Sequence, residues 1–254
     1  MTRNLLLSTG LASLLLFVPW GSVSATEMPR TILSLYDSRA DESEFYSNGH
    51  RLAEMPLNHL GFVVVHHDVN KALPDLDAMH DVFGVLLWSE AGEMKAPASF
   101  LEWGIEVLQA RKPFVILGTL CFLEDLQGRE TDPELVKRFL AMMGLSSEYD
   151  WISITYDVEL PILDHSIVGY ERDLAGVLPP FERVRALDKD ARVFLQAYRR
   201  VDPESLADLI VVTRNGGYAA SGYTHYSDAQ QDRIQWILNP FEFFRAAFSS
   251  DALP

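Results

Sequence analysis

The sequence predicts an α/β fold, a three-layer sandwich around a mainly parallel sheet with β-hairpin additions in its C-terminal half. Three observations predict it. Short apolar runs at 31–36, 62–66, 83–88 and 114–117 read as strands, and the continuous run at 62–66 is of the kind parallel sheets bury on both faces. Helix-compatible segments separate them, which is the alternation of βαβ units with right-handed crossovers. After about residue 150 the pattern changes to alternating segments and a hairpin signal.

The elements follow in order. The strand at 31–36 stops at Asp37-Ser38, and a helix flanking a short turn is expected over 50–60. The strand at 62–66 follows, and the one at 83–88 ends at Ser89-Glu90. Ser99 is expected to N-cap a helix through Phe100, Trp103, Val107 and Leu108, with Glu102 completing a capping box. After the strand at 114–117, Asp132-Pro133-Glu134 opens a helix through Leu135, Phe139 and Met143, with Gly144 as C-cap. In the second half, 151–156 and 191–198 alternate as strands, and 208–213 and 218–223 form a hairpin closed around Asn215-Gly216. A strand at 233–237 and an amphipathic helix at 240–248 end the chain. These later strands read as additions and edge strands on one sheet, so residues 26–254 are expected to form a single α/β domain.

The chain has 254 residues, is 48% hydrophobic and carries a net charge of −15. That composition supports a sizeable core. An acidic surface repels phosphate backbones, so no nucleic-acid partner is expected. The same charge would attract a polymer with free amino groups, or serves solubility alone. Arg3, the apolar stretch 5–18 and Val23-Ser24-Ala25 have the form of a signal peptide, cleaved after Ala25. The expected location is therefore secreted or periplasmic, with no stable membrane span after cleavage. The one cysteine, Cys121, leaves no internal disulfide.

Six stretches carry a resemblance to a known family: 32–38 (ILSLYDS), 50–64 (HRLAEMPLNHLGFVV), 83–90 (FGVLLWSE), 112–118 (KPFVILG), 211–223 (VVTRNGGYAASGY) and 236–248 (WILNPFEFFRAAF). They resemble the flavodoxin or class I amidotransferase-like accessory domain of PelA-type secreted bacterial proteins, which join glycoside hydrolase and polysaccharide deacetylase domains. The resemblance implies an accessory role in exopolysaccharide processing. It implies a deacetylase module, a glycoside hydrolase module or the exopolysaccharide itself as partner. No deacetylase metal motif occurs in the chain, so neither deacetylase nor hydrolase chemistry is carried over. The chain is expected to act alone or as the front of a longer protein.

Cys121 follows a strand-end glycine, where amidotransferase-like enzymes carry a nucleophile, but the elbow position two residues after Gly118 is Leu120. Apolar neighbours would also suppress its thiolate, so packing is the expected role and no catalytic residue is assigned. His66-His67-Asp68 has no companion ligands at visible spacing, although Asp37 or Glu90 could approach at the sheet's C-terminal edge, and no metal is expected. Ligands of doubly wound sheets bind outside the strands' C-terminal ends, which gathers Asp37, Ser38, His67, Asp68, Ser89, Glu90, Gly118 and Thr119 as ligand-binding candidates. Such an acidic rim suits a cation, sugar hydroxyls or an amino sugar. It does not suit a flavin or nucleotide phosphate, and no cofactor is expected. Tyr218, Tyr223 and Tyr226 are expected to pack rather than to stack on sugars. The alternative reading is an amidotransferase-like or hydrolase enzyme using Cys121 or a strand-end acid at that edge.

Overall fold

The computed structural model describes residues 29–153, 156–174, 179–228 and 233–249. The segment read as a signal peptide lies outside the described residues. The first half runs β1 (Thr31–Tyr36), a 3-10 turn at Glu44–Tyr46, a π-helix at Gly49–Ala53 continuing into α1 (Glu54–His59), β2 (Val63–Asp68), β3 (Val82–Ser89), α2 (Pro97–Gln109), β4 (Phe114–Gly118) and α3 (Pro133–Met143). The second half runs β5 (Leu145–Ile152), β6 (Val158–Glu159), β7 (Phe181–Ala186), β8 (Arg192–Arg199), β9 (Asp202–Thr213), β10 (Gly216–Ala220), β11 (His225–Asp228), β12 (Arg233–Trp236) and α4 (Pro240–Ala247).

One eight-stranded sheet has the order β2-β1-β3-β4-β10-β9-β8-β6. The five strands from β2 to β10 are parallel, and β9, β8 and β6 extend the sheet antiparallel. The opening order 2-1-3-4 is that of flavodoxin-like doubly wound sheets. β5 with β7 and β11 with β12 form separate two-stranded ribbons.

Helices cover both faces. On one side Phe100 of α2, Phe139 of α3 and Phe114 of β4 form a buried aromatic cluster, with the Phe114 and Phe139 rings 5.3 Å apart and edge to face. Phe139 is fully buried, so truncating it to alanine would destabilise the fold by about 3–5 kcal/mol. Gly104 lets the two helices approach, since a Cβ there would lie 2.6 Å from the Phe139 ring. On the other side Phe243 of α4 packs over Gly217, Phe248 packs over Gly84, and α1 meets α4 through the His59 and Phe241 rings.

Local chemistry explains the boundaries. Asp132 caps α3 through the Glu134 amide, and Gly144 ends it in the left-handed region at φ 80°. Asn239 caps α4 through two amides. The expected Ser99 cap of α2 is corrected: the cap lies three residues earlier, at Ala96, which makes no side-chain cap bond, and the helix begins at Pro97, whose fixed φ suits a first turn. Pro56 cannot donate to a carbonyl one turn back, and the widened π-turn immediately before α1 accommodates that missing bond.

The predicted hairpin forms, but its two loop residues are Arg214 and Asn215, because Gly216 already pairs with Thr213. Gly216 begins β10 at φ +143°, and a Cβ there would sit 1.8 Å from the Phe114 carbonyl oxygen. The second half extends the sheet through the β9–β10 hairpin and β8 and β6, as expected, but β5–β7 and β11–β12 stand apart from it, and β10 is not an edge. That strand lies inside the sheet, parallel to β4, because its Gly-Gly-Tyr-Ala-Ala residues are small or buried enough to sit between two layers.

Candidate functional site

The connection from β1 to β2 runs one way along the sheet and the connection from β3 to β4 runs the other. The crevice outside the C-terminal ends of β1 and β3 is therefore the switch point where doubly wound sheets hold ligands. All eight predicted ligand residues lie at the C-terminal ends of β1 to β4, but they do not form one cluster.

The first group is a closed knot. Asp68, the last residue of β2, accepts from the Ser38 hydroxyl at 2.7 Å, the Asn70 amide at 3.0 Å and the Asn70 side chain at 2.9 Å. Asp37 accepts from the Arg39 guanidinium at 3.0 and 2.5 Å and from Asn70 Nδ2 at 2.7 Å. Burial alone would raise both carboxyls, but these hydrogen bonds outweigh it and hold each below the usual range. Asp37, Ser38 and Asp68 thus spend their bonding capacity on fastening two loops. His67 is separate again: it faces the opposite side of the sheet from His66, and its Nε2 lies 3.0 Å from the Ala72 carbonyl.

The second group is open. Glu90, exposed just past β3, accepts from the Trp88 indole N–H at 3.3 Å and from the Ser221 hydroxyl beyond β10. It has no ion-pair partner among the described residues. Gly118, at φ +97°, lets β4 turn against β3, for a Cβ there would lie 1.9 Å from the Ser89 carbonyl oxygen. Thr119 then bonds the Ser89 carbonyl through its amide at 2.8 Å and the Ala91 carbonyl through its hydroxyl. Beside Glu90 stand three rings: Trp88 lies 5.8 Å from His225 and 5.9 Å from Trp236. Burial and the charge of Arg51 lower the His225 pKa, which favours a neutral ring. Sequence reasoning missed Ser221, His225 and Trp236, because their approach depends on β10 entering the sheet and on the β11–β12 ribbon folding back.

The elbow after β4 lacks a nucleophile. Leu120 occupies the elbow position and is 1% exposed. Cys121 is buried, and burial pushes its thiol up to about 12. The Leu120 amide instead donates to Glu182 of β7, at 3.4 and 3.2 Å to the two carboxyl oxygens. Burial raises that carboxyl to about 7, and the Leu120 bond only partly opposes it. Tyr218 and Tyr223 are core residues, the latter donating from its hydroxyl to the Pro179 carbonyl. Tyr226 lies under the Arg172 guanidinium at 3.6 Å.

A shallow cavity of about 230 Å³ opens beside this edge, between Lys95–Ser99 and the loop from Asp125 to Asp132. None of the eight predicted residues lines it. Among the described residues one set of metal-ligand type converges elsewhere, on the α1 side of β2. His50 Nδ1 lies 2.6 Å and His66 Nε2 3.2 Å from the same Glu54 oxygen. The sequence expectation tested His66 only against strand-end acids; its companion comes from the helix before it.

The sequence matches no family model. No curated protein is significantly similar to it. Among solved structures, a ThuA-like protein from Parabacteroides merdae aligns over 87% of this chain and 88% of its own, at 13% identity and TM-score 0.43. A glutamine amidotransferase from Methylobacillus flagellatus aligns over 83% and 70%, at 14% identity and TM-score 0.36. No residue role is transferred from either, and the fold assignment rests on the strand order itself.

Proposed function

We propose that this is a secreted, non-catalytic accessory domain of exopolysaccharide processing that contacts glycan at the switch-point edge. The observation that carries the reading is Glu90, an exposed carboxylate with no ion-pair partner among the described residues, oriented by Trp88 and Ser221 near the half-buried His225 and Trp236 rings that adjoin the buried Trp88. Rings accept the apolar face of a sugar, and a carboxylate takes its hydroxyls or a free ammonium group. The net charge of −15 favours a cationic amino sugar. The PelA-type resemblance supplies the setting, and the absence of a nucleophile at the elbow supports a contacting role.

The test is calorimetric titration with a partly de-N-acetylated hexosamine oligomer, and with its fully acetylated counterpart. Binding of the former, weakened at least about tenfold in both Glu90→Gln and Trp236→Ala, supports the reading. Equal affinity in wild type and both variants overturns the site, and absence of binding to either oligomer overturns the glycan role.

One observation favours a second reading, a hydrolase with its site at this edge. A carboxyl raised to about 7, as Glu182 is, has the proton affinity of a general acid–base group. Glycan turnover abolished by Glu182→Gln in a folded protein would establish that reading in place of the first.

A further inference from the structure

We propose that His50, Glu54 and His66 form a three-ligand site for a divalent transition-metal ion of the zinc class, with its remaining coordination position open to solvent. The inference is independent of the glycan reading and concerns different residues.

Three segments bring the donors together. His50 lies in the π-turn and Glu54 one turn later at the start of α1, so both project from one side of the same winding. His66 comes from β2, paired in register with Ser34 of β1. Gly49 eases the approach: a Cβ there would lie 2.3 Å from Ser34 Oγ, so a larger residue would require that hydroxyl to turn away. Phe45 holds the outer edge of His50, ring to ring at 5.4 Å.

The donor geometry suits such an ion. Zinc binds imidazole nitrogen and carboxylate oxygen at about 2.0–2.2 Å, which places tetrahedral donors roughly 3.3–3.5 Å apart. The His66–Glu54 separation is 3.2 Å, the His50–Glu54 separation 2.6 Å, and all three donor atoms lie within 4.8 Å of one another. The side chains of His50 and Glu54 are 36% and 31% exposed and free to adjust by the required fraction of an ångström, while that of His66 is 10% exposed and fixed. Two imidazoles among three donors favour zinc, cobalt, nickel or ferrous iron over calcium or magnesium, which take oxygen.

Hydrogen bonding alone leaves the cluster incomplete. Both imidazoles must then donate to a single Glu54 oxygen, and His66 Nδ1 is left buried without a partner. A metal on Nε2 places the ring proton on Nδ1, which then needs an acceptor that the hydrogen bonds among the described residues do not supply. The hydroxyl of Ser34, the register partner of His66, is likewise buried and unpartnered.

The experiment strips the full chain with chelator and titrates it with Zn²⁺ by calorimetry and with Co²⁺ by visible absorption. One equivalent is expected to bind. Affinity should fall at least about 100-fold in His50→Ala and in Glu54→Gln, the loss of a first ligand exceeding the 10–100-fold typical of outer partners. His50 is the more exposed ligand, so a variant there tests the site even if a change at His66 impairs folding. No stoichiometric binding overturns the proposal. So does binding that survives both variants, since it would report other histidines among the seven in the chain.

Discussion

Glu182 makes the stability of this protein depend on pH in a direction opposite to that of an ion-paired carboxylate. Its folded pKa is raised from 4.5 to about 7 by burial. Below pH 4.5 the group is protonated in both folded and unfolded chains, and the contribution of the raised pKa is fully present. As pH rises through 7 the unfolded chain ionises freely while the folded one must ionise a partly buried group, and that contribution is lost. The interval is roughly 2.5 pH units, each worth about 1.36 kcal/mol, which bounds the loss at about 3 kcal/mol. Water reaching the partly exposed side chain reduces it further. Glu182→Gln keeps an acceptor for the Leu120 amide and removes the titration. Urea unfolding of both proteins at several pH values, followed by tryptophan fluorescence, isolates the effect, because every other titrating group cancels in the difference. The variant should gain on the wild type by up to about 3 kcal/mol between pH 4.5 and 8, with the change concentrated between 5 and 7. A difference that stays flat within about 0.5 kcal/mol would refute the assigned burial of the carboxyl.

Two further expectations follow from the same edge of the sheet. Cys121, its thiol pushed up to about 12, should resist iodoacetamide at pH 8 in the native protein and react fully in denaturant, as mass spectrometry would show; rapid native labelling would contradict its burial. Gly118→Ala combines φ +97° with a Cβ placed 1.9 Å from a carbonyl oxygen, and should destabilise by about 2–5 kcal/mol in chemical denaturation, whereas Gly92→Ala, at a position open to solvent, should change little.

Much of the fold was legible because the first four strands carry a signal that needs no partner. Runs such as Phe114-Val-Ile-Leu117 are apolar on both faces, as befits an interior strand, whereas the run 62–66, read the same way, forms the edge strand β2 and leaves Val63 and Val65 exposed. Asp132-Pro133 and Gly144 likewise mark α3 by local chemistry alone. The place of β10 was not legible. Its pairing with β4 spans about a hundred residues of chain, and neither Gly216 nor Tyr218 announces which neighbour it takes. The candidate sites divide along the same line. The strand ends were placed correctly by topology, yet topology did not reveal that Asp37 and Asp68 are consumed in holding loops. Nor could spacing show that His66 looks back to Glu54, because a π-turn and a strand meet only when the sheet is assembled.

The insertion of β10 beside β4 has a consequence for how the chain is made. Until residue 220 has left the ribosome, β4 is the last strand of the growing sheet, and its hydrogen-bonding edge, fully buried in the finished molecule, has nothing to pair with. The nascent first half is then a template for any passing strand, and contacts of such long sequence separation form slowly. Premature termination anywhere before Gly216 should therefore produce insoluble material, not a smaller folded protein.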